Sequence, residues 1–562
     1  MKRLLYGGTV VNVFTGEFEQ TNVLIEKDKI VGVGAYSPDD ADMTEDITGK
    51  YICPGFIDGH IHIESTMLTP SELARLCMPH GTTAIVADPH EIANVCGMDG
   101  IKYMMEASSG IPLSVYFTLP SCVPATPFDE SGAVLEADDI RPLYKNKHVV
   151  GLAEMMNYPG VLLGTSDVYN KIGDAIEHGK VIDGHAPFLS GKELDKYICA
   201  GITSDHECSD VGEAIEKIRK GQWVMIRQGT AARNLAELLP LFDDAYSHRC
   251  VLVTDDRHPA DLIRDGHIDN IIRLAARGGK SVITAIKMAT IQAAQCFGLR
   301  FVGAVAPGYR ADLLVLNDLN AVDIEDVYSK GEKVVERGQM KAFDRPKIDG
   351  GLCETVHNSF HTKELTIADF HIEENSNKCR VIEIIPGQLL TGEQVCEIDW
   401  SKNNGIDTTR DILKLAVIER HKNTGHIGLG FIKGIGIKNG AIASSVSHDS
   451  HNIIVIGSDD ENMVIAANNI RKNGGNVVVS AGKIIADMAL PIAGLMTNLS
   501  GEEIALANEN VRKAVYELGV SRNIEPFMNM AFVSLPVIPS LKMTTQGLVN
   551  VDKQERISLY CD

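Results

Sequence analysis

Pro54-Gly55-Phe56-Ile57-Asp58-Gly59-His60-Ile61-His62 decides the reading of this chain. An apolar run ends in two histidines separated by a single residue. Side chains alternate along a strand, so His60 and His62 face the same way and can grip one metal ion from the end of a buried strand. Imidazole serves Zn, Mn, Fe and Ni alike. A bare His-x-His also arises as an accidental pair on a strand face, so the weight falls on what lies downstream.

Between residues 55 and 300, apolar strands alternate with helical segments. Strands are expected at Phe56–His62, Thr83–Asp88, Leu113–Thr118, Val149–Glu154, Val181–His185, Ile202–His206, Gln222–Arg227 and Cys250–Asp255. Helices are expected at Ser71–His80, Ser166–His178, Lys192–Ala200, Val211–Lys220, Leu235–Ser247, Ala260–Ala276 and Ser281–Phe297. Eight strand–helix units in about 250 residues predict an α/β architecture, a (β/α)8 barrel, with a doubly wound sheet as the alternative. A barrel puts its chemistry at the C-terminal ends of its strands. The polar residues follow that rule. The strands end in His60 and His62, Asp88, Glu154, His185, His206, Arg227 and Asp255. Converging at one mouth, these groups would form a metal site.

The flanks read differently. Short alternating segments with Gly and Asp turns at Leu4–Val13, Asn22–Glu26 and Lys29–Val33 predict a small β module. Matching pieces at Ala311–Leu316 and Lys333–Glu336 would complete it, giving a composite β-sandwich from residues 1–54 and 301–345 around a barrel at 55–300. Residues 350–562 form a third, α+β region. Its Gly425-His426-Ile427-Gly428-Leu429-Gly430 run does not fit a G-x-G-x-x-G dinucleotide loop, so the glycines read as tight turns. Ser447-His448-Asp449-Ser450-His451-Asn452 is a polar knot before an apolar strand, fit to cap a helix or line a site.

Composition narrows the function. The 562 residues are 44% hydrophobic and 23% charged, with a formal net charge of −22. That balance argues against nucleic acid or an anionic membrane as partner, because both need basic patches. Twelve cysteines without a Cys-x-x-Cys pair read as reduced thiols in a cytoplasmic protein. The start of the chain carries Lys2 and Arg3 but no apolar core of a signal peptide. The most apolar long segment, Val477–Met496, is interrupted by Lys483 and Asp487, which weighs against a membrane span.

With these motifs in place, the chain resembles the amidohydrolase superfamily and, within it, the bacterial-type adenine deaminases. The closer likeness rests on His62-Ile63-Glu64-Ser65-Thr66-Met67, Ala87-Asp88-Pro89-His90-Glu91, Gly151-Leu152-Ala153-Glu154-Met155-Met156, Asp205-His206-Glu207 and Thr254-Asp255-Asp256-Arg257, with His448 to Asn452 beyond them. The resemblance implies a centre of two divalent metals, Mn or Fe, with Zn as the alternative. His60 and His62 would hold one ion and His185 and His206 the other. Glu154 would bridge them where many superfamily members use a carboxylated lysine. Asp255 would ligate the first metal and move protons. Asp256 competes for that role, since one slip of register exchanges their faces. The resemblance further implies a small-molecule substrate, adenine, converted to hypoxanthine and ammonia in purine salvage, and a homo-oligomer, a dimer or larger.

The chemistry asks for these groups. Attack on C6 of adenine needs hydroxide at neutral pH, which a metal supplies by lowering the pKa of bound water to about 7. Asp255 could accept the proton and return it to the departing amine. Ring N1 must also be protonated. Many related deaminases use a glutamate shortly after the fifth-strand histidine, but His185 is followed by Ala186-Pro187-Phe188, so Glu207 and Glu91 are the candidates. Arg227 either positions substrate or pairs with a carboxylate. Asp88 would orient a ligand, touch a metal or take part in catalysis. Glu91, Arg227, His448 and His451 are expected on the substrate side. His80, His148, His178, His248 and His267 read as surface histidines. His62-Ile63-Glu64 mimics half of the zinc cytidine-deaminase signature, but Pro-Cys-x-x-Cys is missing, so that architecture is excluded. The rivals are another cyclic amidine or amide hydrolase on the same barrel, and a non-catalytic scaffold, which should have lost ligands that this chain keeps.

Overall fold

The computed structural model describes residues 1–230 and 232–561. Five parallel strands form one sheet, β1 (Phe56–Ile61), β2 (Thr82–Ala87), β3 (Ser114–Leu119), β4 (Val149–Met155) and β5 (Val181–Gly184), hydrogen-bonded in that order. A second parallel sheet holds β6 (Ser204–Asp205), β7 (Trp223–Arg227) and β8 (Cys250–Val253). All eight lie within two residues of the stretches expected from the sequence, and the seven for which a polar end was expected each end within two residues of it.

Backbone hydrogen bonds join the sheets at both seams. Thr203 N–H donates to Ile182 O at 3.0 Å beside β5 and β6, and Asp255 N–H donates to His60 O at 2.9 Å where β8 meets β1. Gly59 marks the second seam: a Cβ there would lie 2.8 Å from Val251 Cγ1, so a side chain would force β1 and β8 apart. Ile57, Ala84, Val86, Met225, Val251 and Val253 from both sheets pack with Ala293, Ala294 and Phe297 in one buried core. The result is an α/β fold with a curled parallel sheet.

Several helices differ from expectation. Leu235–Ser247 is three short pieces, Leu235–Leu238, Leu239–Phe242 and Asp244–Ser247, because Pro240 has no N–H to donate. The stretch 260–276 divides into Pro259–Asp265 and Ile268–Arg277 at Gly266, whose φ of +97° leaves the helical region. The last helix, expected at 281–297, divides into Val282–Met288 and Ile291–Cys296 at Thr290, whose φ of −137° and ψ of −97° are not helical.

In the same compact unit, which takes in residues 1–89, 104–121 and 136–347, two further sheets share a core. Tyr51–Pro54 pairs antiparallel with Leu313–Asp318, Leu313 opposite Pro54, and joins the start of the chain to the stretch after helix Ile291–Cys296. Leu5, Val23 and Ile25 of the four-stranded sheet pack against Ile52, Leu313 and Val315 of the seven-stranded one.

The other unit comprises residues 348–562 together with 90–103 and 122–135. Its frame is an eight-stranded sheet, antiparallel except where Lys378–Ile384 runs parallel to Ile427–Lys433. Helix Asp460–Asn473 buries Met463, Ala466, Ala467 and Ile470 against it. The apolar stretch 477–496 begins as a hairpin, Asn476–Ser480 paired with Lys483–Met488, and no described helix is long and apolar enough to cross a membrane. Gly425, Gly434, Gly436 and Gly440 have φ of +77°, +91°, +93° and +122°, the left-handed backbone of tight turns, but Gly428 and Gly430, expected as turns too, lie inside strand Ile427–Lys433. All twelve cysteines are free thiols.

Candidate metal centre

Four histidines and three carboxylates meet at the C-terminal ends of β1, β4, β5, β6 and β8. Glu154, last but one in β4, is buried and its two oxygens serve different partners. Oε1 lies 3.4 Å from His62 Nε2 and 4.0 Å from His60 Nε2. Oε2 lies 2.7 Å from His185 Nδ1 and 3.2 Å from His206 Nε2. Asp255 closes the first pair, with Oδ1 3.2 Å from His62 Nε2 and 3.7 Å from His60 Nε2. Glu207 approaches the second, with Oε1 3.3 Å from His206 Nε2 and 3.6 Å from His185 Nδ1. The rings of His60 and His206 stack with centroids 4.3 Å apart.

These donors fit divalent cations. Ligands held about 2.1 Å from one ion sit roughly 3–4 Å from each other, which is the spacing within each group. His60 Nε2 is buried without a hydrogen-bond partner, as an atom reserved for a metal would be. The far nitrogens are already used: His60 Nδ1 donates to Asp183 Oδ2 at 3.0 Å and His62 Nδ1 to Asp88 O at 3.1 Å, so both rings keep a lone pair on Nε2.

Arg227 at the end of β7 ties the carboxylates together. Its Nη1 donates to Glu207 Oε1 at 2.5 Å and to Asp255 Oδ2 at 2.8 Å, and its Nη2 to Glu207 Oε2 at 2.8 Å. Asp255 takes φ of +57°, because β8 has ended at Val253 and the backbone turns over. That turn directs Asp255 to the histidines and leaves Asp256 to accept from Ser65 Oγ at 2.6 Å.

In the second unit, Glu91 stands between two histidines. His448 Nδ1 lies 2.9 Å from Glu91 Oε1, His451 Nε2 contacts Glu91 Oε2, and all three residues are buried. His451 Nδ1 accepts from Ser447 N–H at 3.2 Å, so the ring proton sits on Nε2, toward Glu91. The Ser447–Asn452 knot is thereby tied to the first turn of the helix at His90–Ala107.

Residues 51–334 match the amidohydrolase family, and residues 388–555 match the adenine deaminase C-terminal domain. Adenine deaminase 2 of Carboxydothermus hydrogenoformans is 45% identical over 552 residues, spanning 98% of this chain and 95% of that protein. Adenine deaminase of Desulfatibacillum aliphaticivorans is 44% identical over 564 residues, spanning 99% and 97%. That of Clostridium acetobutylicum is 45% identical over 551 residues, spanning 96% and 95%.

The chain belongs to the adenine deaminase family.

The electrostatics of this family member's centre are those of a site built to hold positive charge. Burial alone would raise the Glu154 carboxyl, but the charge of His206 and hydrogen bonds from His185, His206 and His62 outweigh it and hold it well below its usual range. Asp255 is buried too, and the His62 hydrogen bond with the charges of Arg227, His206 and His60 keeps it ionised. Burial disfavours charge on His62 and His206, yet the neighbouring carboxylates raise both well above the ordinary imidazole range. A divalent cation would answer the same field that draws protons here.

Sequence reasoning missed three groups of this adenine deaminase family chain. Asp183 holds His60 from 123 residues away. Asp58, inside the opening motif, accepts from Thr254 N–H at 3.1 Å and Thr254 Oγ1 at 2.5 Å, pinning β1 beside β8. His267, expected at the surface, is fully buried, with Nδ1 2.8 Å from Thr82 Oγ1 and Nε2 3.2 Å from Asp58 Oδ2. Its place before helix Ile268–Arg277 suggested exposure, but that helix packs Ile268, Ile271 and Ile272 inward and carries the histidine with it.

Proposed function

We propose that this chain hydrolyses adenine to hypoxanthine and ammonia at a two-metal centre. His60, His62, Glu154 and Asp255 hold one position, and His185, His206 and the other oxygen of Glu154 hold the second. The single observation that carries the reading is the division of Glu154, one oxygen for each histidine pair. The eight strands complete a (β/α)8 barrel over 55–300, flanked by the 1–54 and 301–345 sandwich and the 350–562 region.

When bound, two divalent ions, Mn or Fe or alternatively Zn, supply hydroxide at neutral pH. The chain's own residues do the rest. A C6–O bond forms and the C6–N bond breaks. Asp255 takes a proton from the nucleophile and delivers it to the amine, so that ammonia rather than amide ion departs. Glu207, held ionised beside Arg227, would first take the proton released when bound water becomes hydroxide and then pass that proton to ring N1 as the tetrahedral centre forms. Arg227 fixes the direction of both carboxylates through its planar fork. Asp88 orients His62 through its backbone carbonyl. The enzyme works in the cytoplasm, in purine salvage, as a dimer or larger.

The test is ammonia release by Mn-loaded enzyme from adenine, with adenosine, cytosine and hydantoin run beside it. Turnover of adenine alone supports the assignment. A fully loaded enzyme that releases no ammonia from adenine refutes the substrate and leaves the metal-hydrolase fold standing.

A further inference from the structure

Asp183 lies on β5, and His185 follows two residues later, just past the strand's last residue, Gly184. Their tasks differ. His185 lies against Glu154 in the second histidine pair, whereas Asp183 reaches His60 in the first. The carboxylate is fully buried and committed. Oδ2 accepts from His60 Nδ1 at 3.0 Å, and Oδ1 accepts from Ser204 Oγ at 2.7 Å and from Gly184 N–H at 2.8 Å. Ser204 is itself two residues before His206 on β6. One carboxylate thus connects the three strands that carry His60, His185 and His206.

The four histidines are not supported equally. His60 has a full negative charge on its far nitrogen. His62 meets the backbone carbonyl of Asp88 there. The far nitrogen of His206, Nδ1, is buried and has no hydrogen-bond partner. A carboxylate behind a ligating imidazole fixes the tautomer, locks the ring and makes the facing nitrogen a stronger donor.

We propose that Asp183 is a positioning residue that makes the His60–His62 position the tighter of two metal positions, so that the two ions load in order. This rests on the two-metal reading above. The ordering belongs to the chain itself, through Asp183 acting on His60, and does not depend on the substrate.

The experiment is Mn2+ titration of chelator-stripped full-length enzyme, with free Mn2+ followed by electron paramagnetic resonance and bound metal by elemental analysis. The wild-type protein should show two classes of site. Asp183→Asn keeps the shape and a neutral acceptor but removes the charge. It should weaken the tighter class by about 10–100-fold and leave the weaker one within a factor of two to three. A general loss of packing would loosen both classes together, so the split separates positioning from structure. Ser204→Ala removes one support of Asp183 and should move the tighter class alone by a few-fold, which serves if Asp183→Asn does not fold. Two ions bound with both classes weakened alike, or with neither changed, overturn this proposal while the two-metal reading stands. A wild-type enzyme that takes up a single Mn2+ overturns both.

Discussion

Glu154→Gln is the most direct perturbation of the proposed centre. The substitution preserves shape and replaces one carboxylate oxygen with an amide nitrogen that can only donate. Glu154 faces four imidazole nitrogens at 2.7–4.0 Å, divided between its two oxygens, so whichever way the amide turns, one histidine pair loses its anionic partner. Removing one partner of a buried charged pair costs about 3–5 kcal/mol. At about 1.36 kcal/mol per decade, that corresponds to roughly 10²–10⁴ in affinity for the metal on the affected side. The expected product is a folded protein that retains one tightly held ion and loses the second on dialysis, with adenine turnover down by a similar factor. Elemental analysis after dialysis, beside ammonia release at saturating adenine, measures both. A variant that keeps two ions and more than a tenth of wild-type turnover would refute the bridging role and with it the division of Glu154 on which the functional reading stands.

Three other outcomes are expected. Arg227→Met should leave Glu207 and Asp255 without their shared cation and lower kcat/KM by at least 100-fold, with Arg227→Lys intermediate because an ammonium lacks the planar fork; a lysine variant equal to wild type would show that the fork is dispensable. His267→Ala should destabilise the protein by about 1–3 kcal/mol, since Asp58 and Thr82 each lose a buried partner, and an unchanged melting temperature would contradict that. Burial pushes the Lys542 ammonium from 10.5 down to about 7, so between those values the unfolded chain binds a proton that the folded one does not, and stability should climb with pH across that window by up to about 1.4 kcal/mol per unit. Denaturant midpoints from pH 7 to 10 should show that rise in wild type and lack it in Lys542→Met; parallel profiles would place the charged ammonium in the folded core.

The sequence was most legible where one physical rule dominated. Apolar runs located the strands of the two parallel sheets apart from the short, polar Ser204–Asp205, because burial on both faces leaves a near-continuous hydrophobic signature. Helices were read too long wherever a single residue broke the ladder without breaking the apolar pattern, as Gly266 and Thr290 do. The choice between Asp255 and Asp256 could not be made by alternation, since the strand stops at Val253 and a left-handed residue resets the direction. Asp183 did leave a signal, a carboxylate in phase with His185 inside an apolar strand, but nothing local says that it reaches His60. His267 shows the converse limit: burial of a polar residue depends on a partner, here Asp58, more than two hundred positions away.

The way the chain is shared between its two compact units sets a timetable for its birth. Residues 122–135 belong with residues 348–562, and Glu130 is held by His426 and Thr545, while Asn452 donates to its carbonyl. On a ribosome adding about 5–20 residues per second, Glu130 emerges on the order of fifteen to eighty seconds before those partners do. Ile92 and Ile101 of the neighbouring segment, buried in the finished protein, must wait as well. A gene cut after codon 347 would therefore yield more than a shortened enzyme. It would strand two apolar segments whose partners are never made, a nascent chain suited to chaperones and prone to aggregate.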